Sequence, residues 1–276
     1  MRIEFSKMHG LGNDFIVINN VAKTVALTSA QIRCIANRRT GVGCDQVLLV
    51  EPPALSGADF AMRIFNADGS EAEQCGNGVR CFTVFLHSQR LVAKPEITIA
   101  TAGGLVRSRL ESREQVSVDM GIPRLAPADI PFVARERALS YSLTVADDIV
   151  SIGAVSMGNP HAVVRVLDVK SAPVQRLGPM IQRHERFPRG ANVGFMEVMS
   201  PSHIGLRVFE RGAGETPACG TGACAAMVVG REQGLLEDAV DVDLTGGRLH
   251  VAWRGGTSSV WMTGPATPVF KGVIEV

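Results

Sequence analysis

The chain has no surplus of charge of either sign. Its 28 lysines and arginines meet 27 aspartates and glutamates, for a net charge of +1. No basic field is therefore present to hold a nucleic-acid backbone or an anionic membrane surface. Scattered arginines such as Arg38, Arg39, Arg183 and Arg186 are expected to decorate solvated helix faces. Long apolar runs are also missing, since nothing approaches the roughly 18 residues of a membrane span. The N-terminus, MRIEFSKMHG, lacks a basic start followed by an apolar stretch. The expectation is a cytoplasmic protein without a signal peptide. Metal patterns are absent too. The six cysteines are Cys34, Cys44, Cys75, Cys81, Cys219 and Cys224, and they include no CxxC pair. With no HExxH either, a structural zinc is not expected. A chain of this size has no need of disulfide staples, and in a reducing compartment the cysteines should be thiols.

What is present is enough chain for two domains. The 276 residues are 46% hydrophobic and 20% charged, the balance of a globular protein. Short β-branched and aromatic runs between turn residues read as strands over 3–7, 15–19, 46–51, 58–65, 97–100, 105–110 and 116–120. Ser29 is a candidate N-cap for a helix through Arg38, and a second helix is expected from Cys75 to about Leu91. The same order then recurs, with strands over 162–166, 192–198, 203–209, 240–244, 248–253 and 260–262. Helices fall at 174–184 and from Cys219 onward.

The recurrence extends to individual residues. Arg63-Ile64-Phe65 precedes Cys75-Gly76-Asn77-Gly78, and Arg207-Val208-Phe209 precedes Cys219-Gly220-Thr221-Gly222. The offset is 144 residues, from Arg63 to Arg207 and from Cys75 to Cys219. Asn13 and Asn159 stand 146 apart, as do Gln46 and Asn192. This is a duplicated domain and not a short-period solenoid. Two such domains would bring equivalent loops to one cleft, a favoured ligand site. Glycine and proline at 121–123 mark the boundary. A last strand over 269–276 is expected to return to the first domain. The expected division is 1–118 plus 265–276 for the first domain and 119–264 for the second.

Each repeat sets a cysteine just before Gly-x-Gly at the start of a helix. Free backbone N–H groups at a helix N-terminus favour an anion, and a cysteine there tends towards reactivity. The helices that follow are apolar nearly all round, the pattern of a buried helix. A lone cysteine is more often a small buried hydrophobe, which is the reading for Cys34, Cys44, Cys81 and Cys224. Cys75 and Cys219, at equivalent places in a repeat, read as a functional pair. A stereocentre is inverted by removing a proton from one face and delivering one to the other, so a thiolate and a thiol on opposite sides would suffice. A single nucleophilic cysteine with His161 as partner would leave the second cysteine unexplained.

Longer motifs carry a resemblance. Asn66-Ala67-Asp68-Gly69-Ser70, then Cys75-Gly76-Asn77-Gly78-Val79-Arg80 after four residues, resembles the signature of the diaminopimelate epimerases. Further similar segments are 7–15, 157–161, 210–212, and Gly214-Glu215-Thr216 followed by Cys219 to Cys224. The resemblance implies an α/β (α+β) fold of two pseudo-symmetric duplicated domains, each a curved, mostly antiparallel sheet wrapped around a central helix, with the active site in the interdomain cleft. It implies epimerisation of LL- to meso-2,6-diaminopimelate for lysine and peptidoglycan precursors, without pyridoxal phosphate or metal, by a homodimer. Carried over by position, Cys75 and Cys219 are the catalytic pair. Asn13, Gln46, Asn66, Gly76, Asn77, Asn159, Asn192, Glu210, Arg211, Gly220 and Thr221 are substrate-binding. His161 and Glu210 tune the cysteines. By the same analogy Cys219 is the base and Cys75 the acid in the LL-to-meso direction. Arg211 suits a distal carboxylate, which its planar fork can bind bidentately. Phe270 stands where some relatives have a tyrosine at dimer contacts.

Two alternatives differ in what they demand. A proline or hydroxyproline racemase on the same scaffold would keep both cysteines but would not need the Arg211 clamp. A non-catalytic amino-acid-binding protein would not need both thiols.

Overall fold

The computed structural model describes residues 1–53, 55–72 and 75–276, and these divide into two compact units. The first comprises Met1–Asp119 with Thr263–Val276, and the second Met120–Met262. No helix among the described residues is long and apolar enough to cross a membrane.

The first unit opens with β1 (Arg2–Gly10) and β2 (Asn13–Asn19), then α1 (Ser29–Ala36), β3 (Gln46–Glu51), β4 (Phe60–Asn66) and β5 (Glu71–Ala72). Helix α2 (Gly76–Ser88) follows, then β6 (Glu96–Thr101), β7 (Gly104–Leu110) and β8 (Gln115–Asp119). Leu11 and Gly12, both with positive φ, turn the hairpin between β1 and β2, the backbone handedness that a tight hairpin needs. Strand β2 pairs β3 in parallel, β3 pairs β4 antiparallel, β4 pairs β6 in parallel, and β6, β7 and β8 follow antiparallel. Helix α2 touches β1, β2, β3, β7 and β8, so the sheet curves around it. Ten consecutive residues of α2, Asn77 to Leu86, are buried.

The second unit repeats this plan. It contains β9 (Tyr141–Val145), β10 (Asp148–Ser156), β11 (Pro160–Val166), α3 (Val174–Gln182), β12 (Asn192–Ser200), β13 (His203–Glu210) and β14 (Gly214–Thr216). Then come α4 (Gly220–Glu232), β15 (Ala239–Leu244) and β16 (Gly247–Ala252). Its parallel pairs are again β11 with β12 and β13 with β15. Helix α4 touches β10, β11, β12, β13 and β16 and is buried from Gly222 to Gly230. The chain returns to the first unit within β17 (Trp261–Pro265) and ends in β18 (Thr267–Glu275). Strand β18 lies antiparallel on β1, and β9 occupies the matching place on β10.

Several local expectations are corrected. The N-cap of α1 is Thr28, not Ser29, because Thr28 and Gln31 form a reciprocal capping box. Arg38 and Arg186 are not on helix faces, since α1 ends at Ala36 and α3 at Gln182. Arg38 pairs with Asp14 and Asp45, and Arg186 lies over the Phe132 and Tyr141 rings. Cys34 is exposed, whereas Cys44, Cys81 and Cys224 are buried. Strands β9 and β10 were not expected from sequence, although β9 alternates buried and exposed residues without a break.

Close packing of α4 on β10 requires Gly153. A Cβ there would lie 2.2 Å from Val229 Cγ1. Gly153→Ala should lower the unfolding free energy by about 1–3 kcal/mol, the usual cost of overpacking. In a Val229→Ala background the same change should cost less than half as much. Urea denaturation of the four proteins measures this, and equal costs in both backgrounds would refute the packing account.

Candidate active site

In the first unit Cys75 is the N-cap of α2, with extended backbone (φ −152°, ψ 105°). Its Sγ accepts from Gly78 N–H at 3.4 Å and donates to Asn13 Oδ1 at 3.8 Å. Asn13 sits at the start of β2 opposite Gly10, so the hairpin carries it to this helix. Its Nδ2 donates to Asp45 Oδ2 (2.8 Å), which turns its Oδ1 towards Cys75 and Asn77. Asn77 Nδ2 donates to that same Oδ1 at 3.3 Å. Gln46 and Asn66 face each other across β3 and β4, and Gln46 Nε2 donates to Asn66 Oδ1 (2.9 Å). Gln46 Oε1 is buried with no hydrogen-bond partner among the described residues. Lys7 and Arg38 flank Asp14, next to Asn13. Burial opposes ionisation of Asp14, yet hydrogen bonds from Arg38 and Lys7 hold its carboxyl well below the usual carboxylate range.

In the second unit Cys219 is the N-cap of α4 and is 4% exposed. Its Sγ donates to Glu210 Oε2 at 3.0 Å, and Thr221 Oγ1 lies 3.6 Å from it. The other Glu210 oxygen accepts from Thr216 Oγ1. Burial, reinforced by the Glu210 charge, pushes the Cys219 thiol well above its ordinary value. Parallel pairing sets His161 beside Asn192. His161 is buried, and its Nε2–H donates to Asn159 Oδ1 (3.0 Å). Burial, with the Arg211 charge nearby, lowers its pKa from 6.5 to about 3, so the ring is neutral. Asn192 Oδ1 accepts from Arg211 N–H (2.7 Å), and Arg211 Nη1 donates to Arg189 O (2.7 Å). Gly76 and Gly220 open their helices, and a Cβ on Gly220 would lie 2.9 Å from Met262 Sδ.

In the first unit, then, Asn13 and Asn77 join Cys75 at the N-terminus of α2, while Gln46 and Asn66 meet each other. In the second, Glu210 and Thr221 meet Cys219 at the N-terminus of α4, and Asn192 is joined to Arg211 next to Glu210. Buried cysteines elsewhere differ in kind. Burial is the main cause that pushes Cys44 and Cys81 up to about 12, and neither caps a helix. Among the described residues no group of three His, Cys, Asp or Glu side chains is arranged to hold a metal ion.

The diaminopimelate epimerase family model matches residues 5–126 and 153–269, most of both units. The chain belongs to the diaminopimelate epimerase family. A diaminopimelate epimerase of Thioalkalivibrio sulfidiphilus is 59% identical over all of both chains. One of Alkalilimnicola ehrlichii is likewise 59% identical over all of both chains. Among solved structures, a phenazine biosynthesis protein of the PhzF family from Bacillus anthracis has TM-score 0.70 at 16% identity, over all of both chains. A hydroxyproline epimerase from Agrobacterium vitis has TM-score 0.69 at 17% identity, covering 99% of this chain and 92% of that one. These two likenesses establish the shared fold alone.

Set against the duplicated plan of this epimerase family, the two repeats have diverged in charge. Glu210 stands 144 residues after Asn66, and His161 stands 146 after Phe15. The first unit thus has an amide and an apolar ring where the second has a carboxylate and an imidazole. Both correspondences follow from the offsets already visible in sequence. Three supporting residues were not expected: Asp45 on Asn13, Thr216 on Glu210, and Arg80, whose Nη2 donates to Asn77 Oδ1 (2.8 Å). Asp45 adjoins Gln46 and Thr216 lies within a quoted motif, but neither signals its contact.

Neutral, buried His161 has a consequence for stability. Its pKa is lowered on folding, so between about 6.5 and 3 the unfolded chain binds a proton that the native chain does not. Stability therefore falls as pH drops through that window, by at most about 1.4 kcal/mol per pH unit. His161→Phe, which installs the residue found in the first repeat, should flatten this dependence between about pH 6 and about pH 4.5. Denaturant unfolding at several pH values tests it, and an unchanged slope would count against a neutral His161.

Proposed function

We propose that the chain catalyses cofactor-independent, two-base epimerisation of LL-2,6-diaminopimelate to meso-2,6-diaminopimelate, with Cys75 and Cys219 serving opposite faces of one α-carbon. The observation that carries this reading is the paired placement of a thiol at the N-cap of each buried helix, each with its own polar partner.

The α-hydrogen of an amino acid is a very weak acid, so one positioned thiolate is not enough. Positioned acid and base groups contribute about 10²–10⁴-fold each, and fixed dipoles aimed at developing charge add more. The N–H groups opening α2 and α4, at Gly76, Asn77, Gly220 and Thr221, suit the carboxylate of the reacting centre. Asn13, Asn66, Asn159 and Asn192 can donate to carboxylate and accept from ammonium. The unpartnered Gln46 Oε1 suits an ammonium hydrogen. Arg211 supplies the cation for the distal carboxylate.

Protonation sets which thiol acts first. With the proton on Cys219 and donated to Glu210, Cys219 is the acid of the pair, and Cys75 becomes the base once the proton it donates to Asn13 Oδ1 has left for solvent. The roles reverse when Cys75 keeps its proton, donated to Asn13 Oδ1, and the Cys219 proton moves to Glu210. The neutral His161 ring beside Asn159 avoids adding a competing cation there. This ordering departs from the expectation of Cys219 as base in the LL-to-meso direction, which requires the transfer to Glu210 to come first.

The same reading includes a cytoplasmic homodimer in lysine and peptidoglycan precursor synthesis. Support for the dimer lies on β18, where Val269, Phe270 and Val273 are exposed, apolar surface along one strand that a second copy would cover. Phe270→Glu should then shift the protein to monomer in sedimentation velocity. An unchanged species would exclude this face.

The function itself is tested by incubating either diaminopimelate isomer in D₂O without added cofactor. The native protein should exchange the α-hydrogen and form the other isomer. Cys75→Ala and Cys219→Ala should each lower epimerisation by about 10³-fold or more. Arg211→Met should impair diaminopimelate severely, and native protein should turn over lysine about 10⁴-fold more poorly. Efficient racemisation of lysine or proline would instead favour the racemase reading.

A further inference from the structure

Arg80 is a wholly buried guanidinium that the proposed chemistry leaves unused. It lies one turn into α2 and is 0% exposed. Its Nε donates to Pro265 O (3.1 Å) and its Nη2 to Asn77 Oδ1 (2.8 Å). Gly10, which pairs with Asn13 at the hairpin end, makes room for it: a Cβ at position 10 would lie 3.1 Å from Nη2. Three separate segments of the first unit thus converge on this cation. They are the β1–β2 hairpin, the start of α2, and the segment leading into β18.

A buried charge is costly unless it is hydrogen-bonded, so its position calls for a reason beyond packing. The hydrogen bonds run in one direction. Arg80 donates to Asn77 Oδ1, Asn77 Nδ2 donates to Asn13 Oδ1, and that same oxygen accepts from Cys75 Sγ. A cation at the head of such a chain polarises each amide in turn. Asn77 becomes a stronger donor, and Asn13 Oδ1, already engaged, a weaker acceptor for the Cys75 proton. Buried positive charge also favours the thiolate directly. Glu210 has the opposite sign and meets Cys219.

We propose that Arg80 is a positioning residue that, through Asn77 and Asn13, tilts Cys75 towards the thiolate while Glu210 keeps Cys219 protonated. The two thiols of the repeat are thereby made unequal before substrate arrives. This rests on the two-base reading above, but its test needs no substrate.

The test is the rate of alkylation by iodoacetamide at fixed neutral pH, resolved by peptide mass spectrometry, with exposed Cys34 as the internal reference. Arg80→Lys keeps a cation but not the fork that serves Asn77 and Pro265 together. It should slow Cys75 about tenfold relative to Cys34, the scale of one charge-assisted hydrogen bond. A purely structural role predicts the reverse, because a loosened loop would expose Cys75 and speed its alkylation. Should Arg80→Lys fold poorly, Gly10→Ala presses on Nη2 with the guanidinium still present, and it should slow Cys75 by about threefold. In an Asn77→Ala background, Arg80→Lys should change the Cys75 rate less than about twofold, since coupled residues are not additive. Unchanged or faster Cys75 alkylation in both single variants, or a full tenfold loss without Asn77, overturns the proposal. If Arg80→Lys slows Cys75 but the native protein fails to epimerise diaminopimelate, the functional reading falls while the effect of Arg80 on Cys75 stands.

Discussion

A thirteen-residue helix with almost no polar face persists in water only if something encloses it. Helices α2 and α4 are both of this kind, and in each unit the strands curve round to do the enclosing. Burying such a helix removes its apolar side chains from water at about 25 cal/mol per Å². It also leaves the N–H groups of the first turn in need of partners. Those groups and the capping cysteine become the one polar feature at the end of an apolar rod. The tight contact at Gly153 is a further product of that enclosure, since a Cβ there would lie 2.2 Å from Val229 Cγ1 on the helix.

Duplication gives two such helix ends, and divergence gives them different electrostatics. The second repeat holds a carboxylate 3.0 Å from its thiol and a buried neutral imidazole nearby. The first holds the Asn13 amide against its thiol, with a buried guanidinium two residues further along the chain of hydrogen bonds, beyond Asn77. On the proposed two-base reading, Cys75 and Cys219 must differ in affinity for the proton at the moment of reaction. Identical repeats would not provide that difference. Substituting Glu for Asn at one repeat position and His for Phe at another supplies it without altering the backbone plan.

Sequence alone determined much of this. Duplication, the two buried helices, the cysteine pair and the family follow from spacing and motif, because offsets of 144 and 146 residues survive any local uncertainty in strand ends. The closing strand was also legible, as an extended run beyond Gly264 and Pro265. What only the tertiary structure decided are contacts between residues far apart in the chain: Asp45 on Asn13, Thr216 on Glu210, and Arg80 on Asn77 and Pro265. Arg80 reads in sequence as one more charged residue on a helix, and Cys34 as one more buried thiol. Burial and hydrogen-bond direction are properties of the neighbours that folding supplies, not of the residue or its spacing. For that reason the sequence names the two thiols, while the fold decides which polar groups each of them meets.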